Sequence, residues 1–245
     1  MRRFSFILIL AVVCAGRLLA ADTGAEFDAA NKLYNQGKFA AAADGYEKII
    51  RSGAVSPAVH FNLGNACFKA GQFGRAIAAY RRAQQSTPRD ADVRANLQFA
   101  RKQIGDNLSV TPGLAQRALG KLTLNEWTAF AAVALWGWFV LLALGQWRSA
   151  WRSALQSYVL FAGLATAALG GCVAADWAVN YSVKSAIVIA DEAVVRQGPL
   201  DEAQATFTAK DGAELTVLDE KDGWLQVNGS QRRSGWVKRA AVQVL

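Results

Sequence analysis

Two stretches of the chain have no polar face at all. From Trp127 to Trp147, 21 positions, and from Ser153 to Ala175, 23 positions, no side chain is charged. A helix rises 1.5 Å per residue, so the shorter stretch spans about 31 Å, close to the ~30 Å hydrocarbon core of a bilayer. A pair of buried core helices would keep one polar stripe each, but Trp136-Gly137-Trp138-Phe139-Val140-Leu141-Leu142 is apolar on every side. Trp127, Trp147, Trp151, Trp177 and Tyr181 stand at the ends of the runs, where aromatic belts form. The pattern predicts two transmembrane helices, 127–147 and 153–175, with a short linker over 176–183.

Only Arg148 to Arg152 separate the two runs, so they form a tight hairpin whose tip, 148–152, carries two arginines and belongs in the cytoplasm by the positive-inside rule. The N-terminus gives the same orientation. Arg2-Arg3, an apolar run from Phe4 to Gly16 and the small pair Ala20-Ala21 describe a secretory signal peptide over 1–21. Arg17 interrupts the approach to the cleavage site, which leaves an uncleaved anchor as an alternative. In both cases 22–126 and 176–245 lie on the outer side.

Between signal and hairpin the pattern is helical and repeats. Gly37, Phe39, Ala42 and Tyr46 return as Gly71, Phe73, Ala76 and Tyr80, and Phe27 and Asn31 as Phe61 and Asn65, always 34 positions later. A fixed period of this size marks a stacked helical solenoid. These residues resemble the tetratricopeptide repeat, a pair of antiparallel helices, with Leu63-Gly64, Phe68, Gly71, Ala76, Tyr80, Ala83 and Pro88 in that family's positions. His60 and Cys67 replace its usual tryptophan and tyrosine, and Ala30 replaces glycine in the first copy. Ala91 to Ile104 supplies one further first helix, so 22–106 holds about two and a half units, followed by a linker over 107–126.

The resemblance implies a concave groove lined by the first helices. Its inward positions fall on Phe27, Asn31, Tyr34, Phe61, Asn62, Asn65, Phe68, Lys69 and Asn96. Side-chain amides there suit an extended peptide backbone, and the aromatics suit its side chains. The plainer reading is that the asparagines only tie the repeats together. Some family members clamp a terminal carboxylate; Asn31 and Asn62 match that arrangement, whereas Phe27 and Asp92 stand where it needs basic residues.

Beyond the hairpin the period changes to that of strands. Ala186–Ile189, Ala205–Thr208, Glu214–Leu218, Trp224–Val227 and Gly235–Val237 are short β-rich runs separated by turns such as Lys210-Asp211-Gly212 and Lys221-Asp222-Gly223. Five short strands in so few residues predict a small barrel over 184–245. Val194-Val195-Arg196-Gln197-Gly198-Pro199, Asp222-Gly223-Trp224 and Gly235-Trp236-Val237 resemble the bacterial SH3 domain. Trp224 and Trp236 either pack that barrel or line its shallow groove, and such modules often contact cell-wall polymer or peptides. The fold class is therefore multidomain α + β: an α-helical solenoid, a transmembrane helical hairpin and an all-β SH3-like barrel.

Charge changes this picture little. The net +8 divides into 12 basic against 8 acidic residues over 22–106 and 8 against 9 over 184–245, with no dense basic stripe for nucleic acid. Three cysteines, Cys14, Cys67 and Cys172, include no C-x-x-C pair, and Val13 before Cys14 argues against lipid acylation. One histidine and scattered carboxylates offer no nucleophilic, paired-acid or phosphate-binding motif. The expectation is a protein without catalysis, metal or cofactor.

Signal sequence, tetratricopeptide stack, hairpin and terminal SH3 barrel, in that order, resemble the BatE family of the Bacteroides-type aerotolerance operon. The resemblance rests on domain order and covers nearly the whole chain. It implies a scaffold in the bacterial inner membrane with both soluble domains in the periplasm. The partners it implies are membrane proteins carrying von Willebrand A domains and a MoxR-type ATPase. A cell-wall anchor holding peptidoglycan through the barrel is the alternative.

Overall fold

The computed structural model describes residues 24–105, 119–180, 184–229 and 233–245. The predicted signal peptide and Cys14, Arg117 and most of the first linker, Tyr181 and Arg232 lie outside them.

The repeat region consists of a helix over 24–35 (α1), then α2 (Phe39–Arg51), α3 (Pro57–Lys69), α4 (Phe73–Ser86) and α5 (Ala91–Gln103). Its boundaries are local chemistry. Ser56 accepts a hydrogen bond from Val59 N–H with Pro57 at the first helical position, and Asp90 accepts from the N–H groups of Asp92 and Val93, satisfying donors that a helix start leaves free. Gly37 and Gly71 take φ of +76° and +78°. Each closes a helix by the same pair of bonds: Gly37 N–H to Tyr34 O and Lys38 N–H to Leu33 O, then Gly71 N–H to Phe68 O and Gln72 N–H to Cys67 O. A glycine is favoured at such a left-handed end.

The helices share a core of Ala42, Ala43, Tyr46, Ile49, Leu63, Ala66, Cys67, Ala76, Ile77, Tyr80 and Leu97. Ala30 in place of glycine has a counterweight. It abuts Gly45, where an added Cβ would meet the Ala30 methyl at 3.1 Å, and the second repeat carries the reverse pair, Gly64 and Ala79, 34 positions on. Cys67 is fully buried, and burial, the largest influence, pushes its thiol up to about 12. It is a small core residue rather than a reactive thiol.

The hairpin is α6 (Leu124–Trp147), a 3₁₀ turn (Ser149–Trp151) and α7 (Arg152–Asn180). Both helices are long and apolar enough to cross a membrane, and none of α6 is buried within the protein. The Trp138 indole lies against Gly163, where a Cβ would meet its Nε1 at 3.2 Å. The uncharged run 127–147 makes up most of α6, which a reciprocal capping box between Thr123 and Glu126 starts at Leu124. Helix α7 runs past the uncharged stretch that ends at Ala175, through Asp176 to Asn180. A single acidic residue, here buried, does not stop a helix as a glycine or proline does.

The C-terminal domain has seven antiparallel strands rather than five: β1 (Ser185–Val188), β2 (Glu192–Arg196), β3 (Ala205–Lys210), β4 (Glu214–Lys221), β5 (Trp224–Asn228), β6 (Ser234–Lys238) and β7 (Val242–Val244), in the order β3-β2-β6-β5-β4-β1-β7. The extra strands are β2 and β7. Strand β2 alternates exposed and buried residues but abuts the turn at Gln197-Gly198-Pro199, and β7 has three residues, too few for a period to register. Asp222 and Gly223 both have positive φ between the paired residues Lys221 and Trp224, the two-residue turn that Asp-Gly favours.

The repeat and barrel domains dock on each other. Ile187 of β1 is fully buried in the repeat core, and Leu245 packs against the same cluster. Helix α4 has no side-chain cap of its own; instead the Asp211 carboxylate accepts from Gly74 N–H at 3.0 and 3.1 Å, a cap supplied 137 residues away. Burial, the largest influence, raises the Asp211 carboxyl above its ordinary value, while the N–H groups of Gly74, Phe73 and Gly212 pull it back. Glu214 accepts from Arg81 at 2.6 Å and from Arg101 Nε at 2.7 Å, and Arg82 donates to Val244 O at 3.1 Å. Arg89 pairs with Glu126, joining the repeat domain to the start of α6.

Candidate functional site

The groove asparagines form a ladder. Asn31 Oδ1 accepts from Tyr46 Oη at 2.6 Å and Asn62 Nδ2 at 3.2 Å; 34 positions later, Asn65 Oδ1 accepts from Tyr80 Oη at 2.7 Å and Asn96 Nδ2 at 3.0 Å. Each asparagine thus ties a buried tyrosine of its own repeat to the next first helix. Buried hydroxyls need such partners. Burial, the largest influence, raises both tyrosines above their ordinary pKa. The structural role that the sequence reading set beside peptide binding is therefore filled. It consumes the acceptor oxygens of Asn31 and Asn65, while the Asn65 amide hydrogens have no partner among the described residues.

Five of the nine predicted groove positions meet in one cavity. Tyr34, Asn65, Phe68, Lys69 and Asn96 line a pocket of about 330 Å³ together with Tyr80 and Phe99. Phe27, Asn31, Phe61 and Asn62 are not among its lining residues; Phe27 packs on Tyr46 with ring centroids 5.8 Å apart and Phe61 on Tyr80 at 6.0 Å. Phe68 packs on two rings, edge-on with Phe73 at 5.5 Å and tilted against Phe99 at 5.4 Å between centroids. Sequence reasoning missed Phe99, although the period contained it: Phe99 lies 34 positions after Asn65. At 58% exposure it is a large apolar surface facing solvent, a signature of binding surfaces when such residues cluster. Lys69 is exposed and has no ion-pair partner among the described residues. The volume is at the low end for ligand sites and fits one bulky side chain with a stretch of backbone.

In the barrel, Trp224 is only 9% exposed, with the Lys238 ammonium 5.5 Å from its ring centroid. Trp236 is half-buried on β6, opposite Arg196 of β2 and Gln226 of β5. The docking contacts fall on β1, β4, β7 and the turn before β4, whereas Trp236 sits on β6 between β2 and β5. No group of three or more His, Cys, Asp or Glu side chains capable of holding a metal occurs among the described residues.

His60 is 5% exposed and its Nδ1 has no hydrogen-bond partner among the described residues. Burial, first, and the Arg82 charge hold its pKa below the ordinary 6.5. A depressed folded value means that His60 contributes stability fully present above about 6.5 and lost as pH falls through the folded value. Thermal midpoints of the full chain in detergent are expected to drop between neutral and mildly acidic pH, and His60→Leu to flatten that part of the dependence. An unchanged slope in His60→Leu would place the acid sensitivity elsewhere.

With this geometry in hand, comparison with known families is specific to the two soluble parts. Residues 27–91 match the Tetratricopeptide repeat model and residues 190–243 the Bacterial SH3 domain model. No curated protein matches the chain. Both matched families are non-catalytic interaction modules, and here they flank two helices long and apolar enough to cross a membrane.

Proposed function

We propose that this chain is a membrane-anchored adaptor of the bacterial envelope, with its repeat groove and SH3-like barrel both on the periplasmic side of the inner membrane. The observation that carries the reading is the docking of the two soluble domains on each other. Domains on either side of a hairpin that enters and leaves the bilayer on one face can pack together; domains on opposite faces cannot. The arginines at the tip, Arg148 and Arg152, favour the cytoplasm for that tip. A phosphatase reporter fused after Leu245, active only when exported, is expected to be active, and an inactive fusion overturns the orientation.

The groove holds an extended segment of a partner protein at the Tyr34, Phe68, Phe99 pocket. In keeping with the BatE-like domain order, the partners are membrane proteins with von Willebrand A domains working with a MoxR-type ATPase in an aerotolerance-type complex. A photo-crosslinker at Asn65 or Phe68 is expected to capture a specific protein in cells, while one at an exposed remote position such as Arg51 captures none. Adducts from the remote position alone refute the groove.

A second reading, peptidoglycan binding by the barrel, draws on the half-buried Trp236 on strands away from the docking contacts. It predicts that full-length protein in detergent co-sediments with purified cell wall and that Trp236→Ala abolishes this. Sedimentation that ignores Trp236→Ala excludes it.

A further inference from the structure

Helix α5 touches both modules. On one side Asn96 and Phe99 close the groove pocket, Asn96 by its bond to Asn65 and Phe99 by its ring against Phe68. Two turns are enough to reach the other module: Arg101 Nε donates to Glu214, and Ile104, just past the helix end, covers Gly212 so closely that a Cβ there would meet its Cδ1 at 2.7 Å. Between these contacts Val93, Leu97 and Ala100 are buried.

In a longer solenoid the next repeat would cover such a terminal helix. Here the barrel stands beside it, through Glu214 of β4 and Gly212 of the turn before that strand. A 13-residue helix is marginal in water without tertiary packing, so the position of α5 depends on its flanks, α4 on one and the barrel on the other.

We infer that the barrel is a working part of the groove, with Glu214 and the Asp211–Gly74 cap as positioning residues that hold the α5 wall, Asn96 and Phe99, in its binding geometry. This rests on the reading of the pocket as the partner site and adds to it a coupling between the two modules. Such a coupling is reciprocal: a segment seated against Phe99 tightens the docking, and a force or ligand that lifts the barrel loosens the groove.

Amide hydrogen exchange on the full chain in detergent, with the Phe68 crosslinker as second readout, tests it. Glu214→Ala, which changes only the barrel, is expected to raise exchange across Ala91–Gln103 by about tenfold and to lower the crosslinked yield comparably, with residues 24–35 and strand β5 unaffected. Gly74→Ala, approached from the repeat side, should do the same. Phe99→Ala should in return raise exchange in the Asp211–Glu214 turn, a change that a purely local role for Glu214 would not produce.

Unchanged α5 protection in both docking variants overturns the inference, as does a loosened α5 with full crosslinked yield. Should the unmodified groove give no adduct at all, the partner-site reading falls, and the exchange at α5 and at the turn still decides whether the modules are coupled.

Discussion

Gly74→Ala is expected to separate the two soluble domains while leaving each folded. By helix propensity alone the change favours α4 by about 1 kcal/mol, so a stability gain would follow if Gly74 faced solvent. It does not. A Cβ there would run into Val188 O and Asp211 Oδ1 and sit 2.9 Å from Gly212 N. Two of these are backbone atoms of the barrel, which no rotamer change moves aside. Overpacking of this kind costs about 1–3 kcal/mol, and it removes the carboxylate cap on Gly74 N–H as well. The parent protein in detergent should melt with barrel and repeat signals in one transition; the variant should show two, with the repeat core weakened because Ile187 and Leu245 leave it. A variant that still melts in one step at the parent midpoint would show the interface to be dispensable.

The second large effect lies inside the repeat stack. Gly64→Ala is expected to destabilise the repeat domain by about 2–3 kcal/mol, the upper part of the range for overpacked cores. The new methyl would meet the Tyr80 ring at 2.5 Å from Cε1 and 2.6 Å from Cδ1. Tyr80 is 2% exposed and its hydroxyl is pinned to Asn65, so moving the ring breaks the ladder that shapes the pocket. Denaturant titration of the repeat signal should show the midpoint fall with little change in slope. A loss below about 0.5 kcal/mol, the ordinary range of surface substitutions, would mean that α3 and α4 can part without cost.

The same residue pairs show why some of this was legible in advance. A period of 34 fixes which positions are equivalent, so Gly37 and Gly71, Tyr46 and Tyr80, and Asn31 and Asn65 could be read as matched parts before any contact was known. The five predicted residues that line the pocket came from the inward first-helix positions that the repeat resemblance implies. Phe99 escaped because it takes, in the last half-repeat, the position that Asn31 and Asn65 hold before it, so the residue type changes where the period does not. The strands β2 and β7 escaped because runs of five and three residues beside turns carry too little alternation to be counted.

By itself the sequence determined the repeat register, the apolar hairpin and the strand-rich terminal module, since each is written in neighbours within one turn, one hairpin or one repeat. Only the tertiary structure decided that the barrel closes the end of the solenoid. Gly74 reads locally as a weak point in a helix, Asp211-Gly212 as an ordinary turn, and Glu214 as the first residue of a strand. Their pairing with α4 and α5 joins residues 113 to 137 positions apart. Shape and charge complementarity between two finished surfaces has no period, and so leaves no trace along the chain.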